Sequence, residues 1–287
     1  MKWTKRLLLL ILFLAIFVGA ILAGAFFLSR GQPDWYAHHA LDPAQLEAAA
    51  ARAERQMQRT LSWAQDQQAY EESSAKGRPT TNPSRTIDVS FSEDELNGFF
   101  QKWDSTFGWS NAYSAYLSEP QIALRDGRLI LGATAKDLGS VLSVELTPRL
   151  DNNQLHVSVT RVLAGKLPLP STFWNRYRQQ LVSMVTSDLP RWRSGAEISP
   201  QGGANTDAVS IAMGELLIDT LEDRPAPPVL FLPYSMQSRP RSLPVKVTDL
   251  RIQDRTLTMT VEPLNAHERK TLLDELRSPR EPGPKVD

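Results

Sequence analysis

The chain has 287 residues, with 32 lysines and arginines balanced by 32 aspartates and glutamates. A chain without net charge has no overall field to attract nucleic acid, so we expect no nucleic-acid partner. Cysteine is absent and histidine occurs only four times, which excludes disulfides, thiolate catalysis and cysteine-ligated metals.

The N-terminus carries an unbroken run of apolar and small residues at positions 7–28. At ~1.5 Å per residue, a helix of this length spans the ~30 Å hydrocarbon core of a bilayer. Residues 1–6 contain three basic side chains, whereas Arg30 is the only lysine or arginine between residues 29 and 48. The positive-inside rule therefore predicts a single-pass anchor in the cell membrane, with residues 1–6 in the cytoplasm and the remaining chain outside.

The alternative for this run is a cleaved signal peptide, since Ala23 and Ala25 have the small-residue spacing of a cleavage site. The apolar run continues past that point through Phe26, Phe27 and Leu28, and it is long for a signal sequence. These features favour the anchor, and in either case the rest of the chain is exported.

Residues 29–84 are predicted to form a polar helical stalk and a linker. Asp42 and Pro43 suit the N-cap and first position of a helix, and a stretch rich in Ala, Gln and Glu follows to about residue 72. Its apolar stripe is thin, so we expect an exposed helix, with packing along the domain as an option. A coiled-coil dimer is less favoured because the stripe has few large residues. The oligomeric state stays open.

The exported domain is predicted to cover residues 85–264 and to begin with a short strand ending at Phe91. Ser92 and Glu95 have the spacing of a capping box, and Phe91 and Leu96 that of a hydrophobic staple, so a helix is predicted to start here. An aromatic-rich stretch follows, which is either a loop that covers the core or a rim that touches lipid. Its members are Trp103, Phe107, Trp109, Tyr113 and Tyr116.

The period of the apolar residues then changes to two, which predicts an antiparallel meander of hairpins. Asp126-Gly127 and Asn152-Asn153 are the predicted turns. A last hairpin is predicted around Asp254. Its pattern of apolar residues matches that of the first hairpin position for position, which reflects either a duplication or chance.

Helices are predicted between and after the hairpins. One is predicted to be capped by Ser171 and to end at Pro190. Another is predicted to cover about residues 207–221, with an inward face formed by Val209, Ala212, Met213, Leu216, Leu217 and Leu221. Residues 229–232 lie between prolines and are predicted as an edge strand or an irregular crossing. Residues 265–287 are predicted as a short helix followed by a disordered tail.

The motif at residues 91–97 (FSEDELN) and the motif at residues 165–170 (GKLPLP) carry a resemblance. Together with the apolar N-terminus, they make the chain similar to the YpmS-like family of membrane-anchored bacterial proteins. The architecture also resembles the tubular lipid-binding class, in which a curved antiparallel sheet wraps a long helix and the groove between them holds acyl chains. The resemblance implies a lipid as ligand and implies no catalytic residues.

The resulting expectation is an α+β fold, with one N-terminal transmembrane helix followed by a curved antiparallel sheet packed on amphipathic helices. No nucleophile-elbow motif, histidine motif or glycine-rich phosphate loop occurs, so we expect no enzyme, no cofactor and no metal site. His156 is expected to be an exposed strand residue.

Two functions remain. One is a groove that binds a membrane lipid or another apolar ligand. The residues predicted to line it are Phe99, Trp103, Trp109, Leu131, Val144, Val157, Tyr177 and Leu181. The alternative is an envelope module that docks a protein partner through the stalk and the proline-rich residues 224–244.

Overall fold

The computed structural model describes residues 28–37, 42–75, 84–107, 114–198, 203–233 and 242–278. The helices of these residues are α1 (Asp34–Ala37), α2 (Pro43–Ala75), α3 (Glu93–Phe107), α4 (Ser171–Gly195), α5 (Thr206–Leu221) and α6 (Ala266–Arg277). The strands are β1 (Ile87–Ser92), β2 (Leu117–Arg125), β3 (Arg128–Ala135), β4 (Ser140–Asp151), β5 (Gln154–Ala164), β6 (Leu167–Pro168), β7 (Val229–Pro233), β8 (Ser242–Gln253) and β9 (Thr256–Pro263).

The fold is α+β, as predicted, but the strands form two antiparallel sheets rather than one. The four-stranded sheet has the order β1-β9-β8-β7, and the five-stranded sheet has the order β2-β3-β4-β5-β6. Apart from Leu28, the predicted anchor at residues 7–28 lies outside the described residues. Among the helices of the described ranges, none is both long and apolar enough to cross a bilayer.

The tight turns follow from local chemistry. Asp126-Gly127, Asn152-Asn153 and Asp254-Arg255 each place two successive residues at positive φ. This is the geometry of two-residue hairpin turns, in which Asn, Asp and Gly are favoured because they tolerate the left-handed region. Both hairpins of the matched pattern are therefore confirmed as hairpins, one in each sheet.

The helix predicted as a stalk, α2, is part of the core of the four-stranded sheet. Ala53 and Ala64 are buried in one cluster with Val89, Val245 and Val261. The small alanine side chains let the helix backbone approach the sheet closely, so a thin stripe is sufficient to bury that face. Of the arrangements considered for this helix, packing along the domain is the one observed.

A second core lies between α4, α5 and α6 and corrects the predicted inward face of α5. Ala208, Ile211 and Ile218 are buried there, whereas Met213 and Leu217 are exposed. A Cβ atom at Gly214 would lie 3.1 Å from Val185 of α4, so the helices meet on the small-residue side of α5. Close approach of the two helices thus decides which face turns inward.

Helix α4 departs from its predicted ends. Its N-cap is Pro170, without a side-chain capping bond, so Ser171 is not the cap. Pro190 lies inside the helix, which continues to Gly195. Burial of Leu189 and an ion pair between Arg193 and Glu215, at 3.1 Å, stabilise the turns around and beyond the proline.

Three further local predictions hold, whereas His156, predicted to be exposed, is half-buried. The Ser92–Glu95 capping box is confirmed, with the Ser92 backbone N–H donating to Glu95 at 2.9 Å and the Glu95 N–H donating to Ser92 Oγ at 3.3 Å. Strand β7 is confirmed as an edge strand. The terminal helix is confirmed as α6, and it begins with a second capping box formed by Asn265 and Glu268.

Candidate functional site

One face of the five-stranded sheet is apolar across its strands. In the cross-strand register, Leu131 pairs with Ile122 on one side and with Val144 on the other, and Val144 pairs with Val162. Directly paired residues of antiparallel strands point to the same side of a sheet. A second row runs beside the first and consists of Leu124, Leu129, Leu146 and Val159.

This apolar face keeps accessible surface. Leu131 is 39% exposed, and the other large side chains of the two rows are half-buried, except for the buried Leu124. Neither of the two core clusters includes a residue of this sheet. The face continues along β4 and β5 to the pair Leu150–Leu155. From Leu142 to Leu150 it measures about 26 Å at ~3.3 Å per residue, more than half of the ~30 Å bilayer core.

The opposite face of the same strands is polar over its outer half. Glu145 lies 3.2 Å from Arg128 and 3.9 Å from Arg161 in ion pairs across neighbouring strands. Arg149 pairs in register with His156, which is half-buried on this face. Over its outer half the five-stranded sheet is therefore amphipathic, with one face suited to an apolar contact and the other to water.

Three of the predicted site residues meet on the apolar face. Leu131 and Val144 are register neighbours, and Val157 lies on the same side further along β5. Phe99 instead packs against the core of the four-stranded sheet. Tyr177, which is exposed, and the half-buried Leu181 belong to α4, which packs on α5 and α6. The Trp103 side chain and Trp109 lie outside what the structure describes.

The β2 edge of the sheet is closed by polar side chains of α3. Asn97 donates to the Ile122 carbonyl at 2.8 Å and accepts the Ile122 N–H at 2.8 Å, so its amide continues the strand pairing. Glu93 accepts the Leu124 N–H at 2.7 Å. An edge satisfied in this way is not available for pairing with another strand at these positions.

Glu93 also joins the two sheets. It is 1% exposed, forms an ion pair with Arg125, and lies 3.1 Å from Arg255 of the β8–β9 turn. The N–H of Gly127 donates to the Ile252 carbonyl at 3.0 Å, so the two matched hairpins touch beside it. The position of Glu93 in the sequence indicates only an acid in the first turn of a helix, where the helix dipole favours it.

A separate apolar cavity of ≈ 260 Å³ lies between α5, β7 and α6. Met213 and Leu216 line it from α5, and Phe231 and Leu272 line it from the other two elements. None of the predicted site residues lines this cavity. It forms on the side of α5 that the sequence assigned to the core, because α5 turns its small-residue side towards α4.

The apolar face of the five-stranded sheet can bind a ligand by burying its apolar surface. Among the described residues, no three histidine, aspartate or glutamate side chains gather as metal ligands. Comparison of the chain with protein-family models, curated proteins and solved structures found no match. The resemblance to membrane-anchored and tubular lipid-binding proteins therefore stays a prediction.

Proposed function

We propose that this protein is a membrane-anchored, extracytoplasmic and non-enzymatic protein that holds the acyl chain of a membrane lipid on the apolar face of the five-stranded sheet. The observation that supports this most directly is the cross-strand row through Leu131, which is apolar throughout and retains accessible surface.

The energetic argument concerns apolar area. Covering apolar surface gains roughly 25 cal/mol per Å², so an acyl chain along this face is stabilised at every step of its length. Monomeric soluble proteins rarely leave large contiguous apolar patches open, and such patches mark binding sites. A polar ligand would gain nothing from the row at Leu131.

The proposed anchor keeps the domain beside the bilayer, which is the source of the lipid ligand. Residues 7–28 are apolar in sequence, and Leu28 is joined to the five-stranded sheet by hydrogen bonding of its carbonyl to Lys166 N–H. A domain tethered in this way stays beside lipid, so even a modest affinity for acyl chains suffices for occupancy.

Photo-crosslinking in cells tests this function on the full chain. A benzophenone amino acid replaces Leu131 on the apolar face or Arg149 on the exposed polar face of the same sheet. We expect irradiation to attach lipid at position 131 and not at position 149, as read by mass spectrometry of the crosslinked peptide. Equal lipid labelling, or none, at both positions would contradict the proposal.

The second candidate is an envelope module that docks a protein partner. It is favoured by exposed apolar side chains on the paired helices α4 and α5, namely Tyr177, Met184, Met213 and Leu217. The same crosslinker at Met184 distinguishes the candidates, because docking predicts a protein adduct there and no lipid adduct at Leu131.

A further inference from the structure

The segment after the apolar run is fixed to one end of the five-stranded sheet. The Lys166 N–H donates to the Leu28 carbonyl at 2.9 Å, and Ser140 Oγ donates to the Ser29 carbonyl. Gly165 has φ +59, and a Cβ atom there would lie 2.3–2.6 Å from the carbonyl oxygens of Ser29, Gly31 and Leu28. Only glycine permits this close approach of the two backbones.

The next residues of the segment are fastened to β2 and β3. A Cβ atom at Gly132 would lie 2.5 Å from Trp35, so the indole ring lies directly on that glycine. The buried Tyr36 hydroxyl donates to the Glu119 carbonyl at 2.7 Å and lies 2.9 Å from Thr134 Oγ1. Leu28 is thus connected to the sheet by a packed segment.

The same end of the sheet presents apolar side chains to its surroundings. Leu28 is 48% exposed, Tyr116 is 68% exposed and Leu138 is 58% exposed. Tyr116 precedes β2, and its carbonyl accepts the Lys136 N–H at 2.9 Å. Leu138 lies in the turn between β3 and β4, two residues before the Ser140 that bonds the segment. The three side chains therefore lie at one end of the sheet.

We infer that this end of the five-stranded sheet rests on the bilayer surface, with Tyr116 and Leu138 inserted at the boundary between headgroups and acyl chains. The inference rests on the proposed anchor. Leu28 ends the apolar run and so lies near the boundary between bilayer and water. The hydrogen bond between Leu28 and Lys166 places the turns at this end of the sheet at the same depth. Tyrosine is enriched at this boundary.

This arrangement orients the proposed lipid-binding face. The antiparallel strands β2 to β5 extend from the membrane-contacting end to the opposite end of the sheet. One end of the apolar face therefore meets the bilayer, and the other end, at Leu150–Leu155, points away from it. The row at Leu131 then lies four residues along β3 from the end of that strand that contacts the bilayer, at Ala135.

The natural absence of cysteine makes a labelling experiment direct. The full chain is reconstituted in vesicles of phosphatidylcholine with a minor fraction of phosphatidylglycerol. Single cysteines carry an environment-sensitive fluorophore in the variants Leu138→Cys and Tyr116→Cys. Gln154→Cys, exposed at the opposite end of the sheet, is the matched control, and Val18→Cys reports on the anchor.

We expect blue-shifted emission and quenching by spin-labelled lipid at positions 138 and 116, with aqueous emission and no quenching at position 154. Quenching at position 18 without quenching at 138 and 116 overturns the membrane contact while leaving the anchor intact. Aqueous emission at position 18 overturns the anchor and the contact together. Circular dichroism of each labelled chain confirms that the fold is unchanged.

Discussion

At the scale of single residues, Tyr36 fixes residues 28–36 to the five-stranded sheet through the hydrogen bonds of its hydroxyl group. Burial raises the pKa of its phenol above the ordinary value of 10.0, and the nearby Glu119 carboxylate adds to the rise. The bond to Thr134 acts in the opposite direction but is the smaller effect. The hydroxyl therefore remains a neutral donor at physiological pH, as its bond to the Glu119 carbonyl requires.

Replacing this hydroxyl should have a measurable cost. Tyr36→Phe removes the bonds to Glu119 and Thr134, and we expect a loss of about 1–2 kcal/mol in the free energy of unfolding, measured by denaturant titration. Tyr116→Phe, at an exposed tyrosine, is the control and should leave stability unchanged. Equal stability of Tyr36→Phe and the natural chain would show that the phenol contributes nothing.

The pH dependence follows from the direction of the shift. A phenol whose pKa is higher in the folded state holds its proton more tightly there than in the unfolded chain. Its stabilising contribution is present below the unfolded pKa near 10 and is lost as the pH rises towards the folded value. The fall in stability above that pH should therefore be shallower in Tyr36→Phe than in the natural chain.

Glu93 shows where residue-level prediction from sequence stops. The sequence identified the helix start through Ser92 and Glu95, because a capping box is a contact between neighbours three residues apart. The partners of Glu93 are Arg125 and Arg255, which two hairpins bring from distant parts of the chain. Local rules account for an acid at this position and give no signal of its role between the sheets.

At the scale of elements, the β5–β6 turn decides whether residues 28–36 can pack on the five-stranded sheet. Gly165 and Gly139 both have positive φ, but only Gly165 has backbone atoms within reach of an added Cβ. Gly139→Ala should cost about 1–2 kcal/mol from the left-handed conformation alone. Gly165→Ala should cost clearly more, because its methyl group collides with three carbonyl oxygens.

The rate of trypsin cleavage tests the effect of the same two variants on residues 28–36. Release of the segment in Gly165→Ala should speed trypsin cleavage after Arg30 relative to Gly139→Ala and the natural chain. Cleavage at the same rate in all three chains, with equal losses of stability, would mean that the turn does not hold the segment.

The periodicity of apolar residues was sufficient to predict the hairpins but insufficient to predict which faces of α2 and α5 are buried. Alternating apolar residues and turn residues predicted β2–β3 and β8–β9 because both signals are local. The predicted inward face of α5 was wrong at Met213 and Leu217, because hydrophobicity favours these residues whereas close packing favours the side with Gly214. The burial of helix α2 was underestimated for a related reason, because its buried contacts with the sheet include the small side chains of alanines.

At the scale of the whole molecule, the fold class could be predicted but the division into two sheets could not. Strand β1 pairs with β9 from the far end of the described chain, and no local pattern encodes that pairing. Of the residues predicted to bind the ligand, Leu131, Val144 and Val157 share one face of the five-stranded sheet. Of the groove partners expected from the helices, Phe99 packs on the four-stranded sheet, and Tyr177 and Leu181 belong to α4, which packs on α5.

The two proposals combine into one physical account of the molecule. The proposed anchor and the exposed end of the five-stranded sheet would hold the domain against the bilayer. The apolar face would then extend from that end of the sheet away from the bilayer. An uncharged acyl chain gains binding free energy along this face because its apolar surface is buried there, whereas a polar solute does not.

The most direct test measures the lipid carried by the purified full-length chain. Native mass spectrometry, after release from detergent micelles, compares the natural chain with Leu131→Glu and with Arg149→Glu, which places a carboxylate on the polar face. All three chains share residues 7–28, so a difference between them reports on the sheet. We predict that the natural chain and Arg149→Glu carry the same extractable lipid mass, and that folded Leu131→Glu lacks it. Lipid retained by Leu131→Glu, or absent from all three chains, would contradict a lipid site on this face.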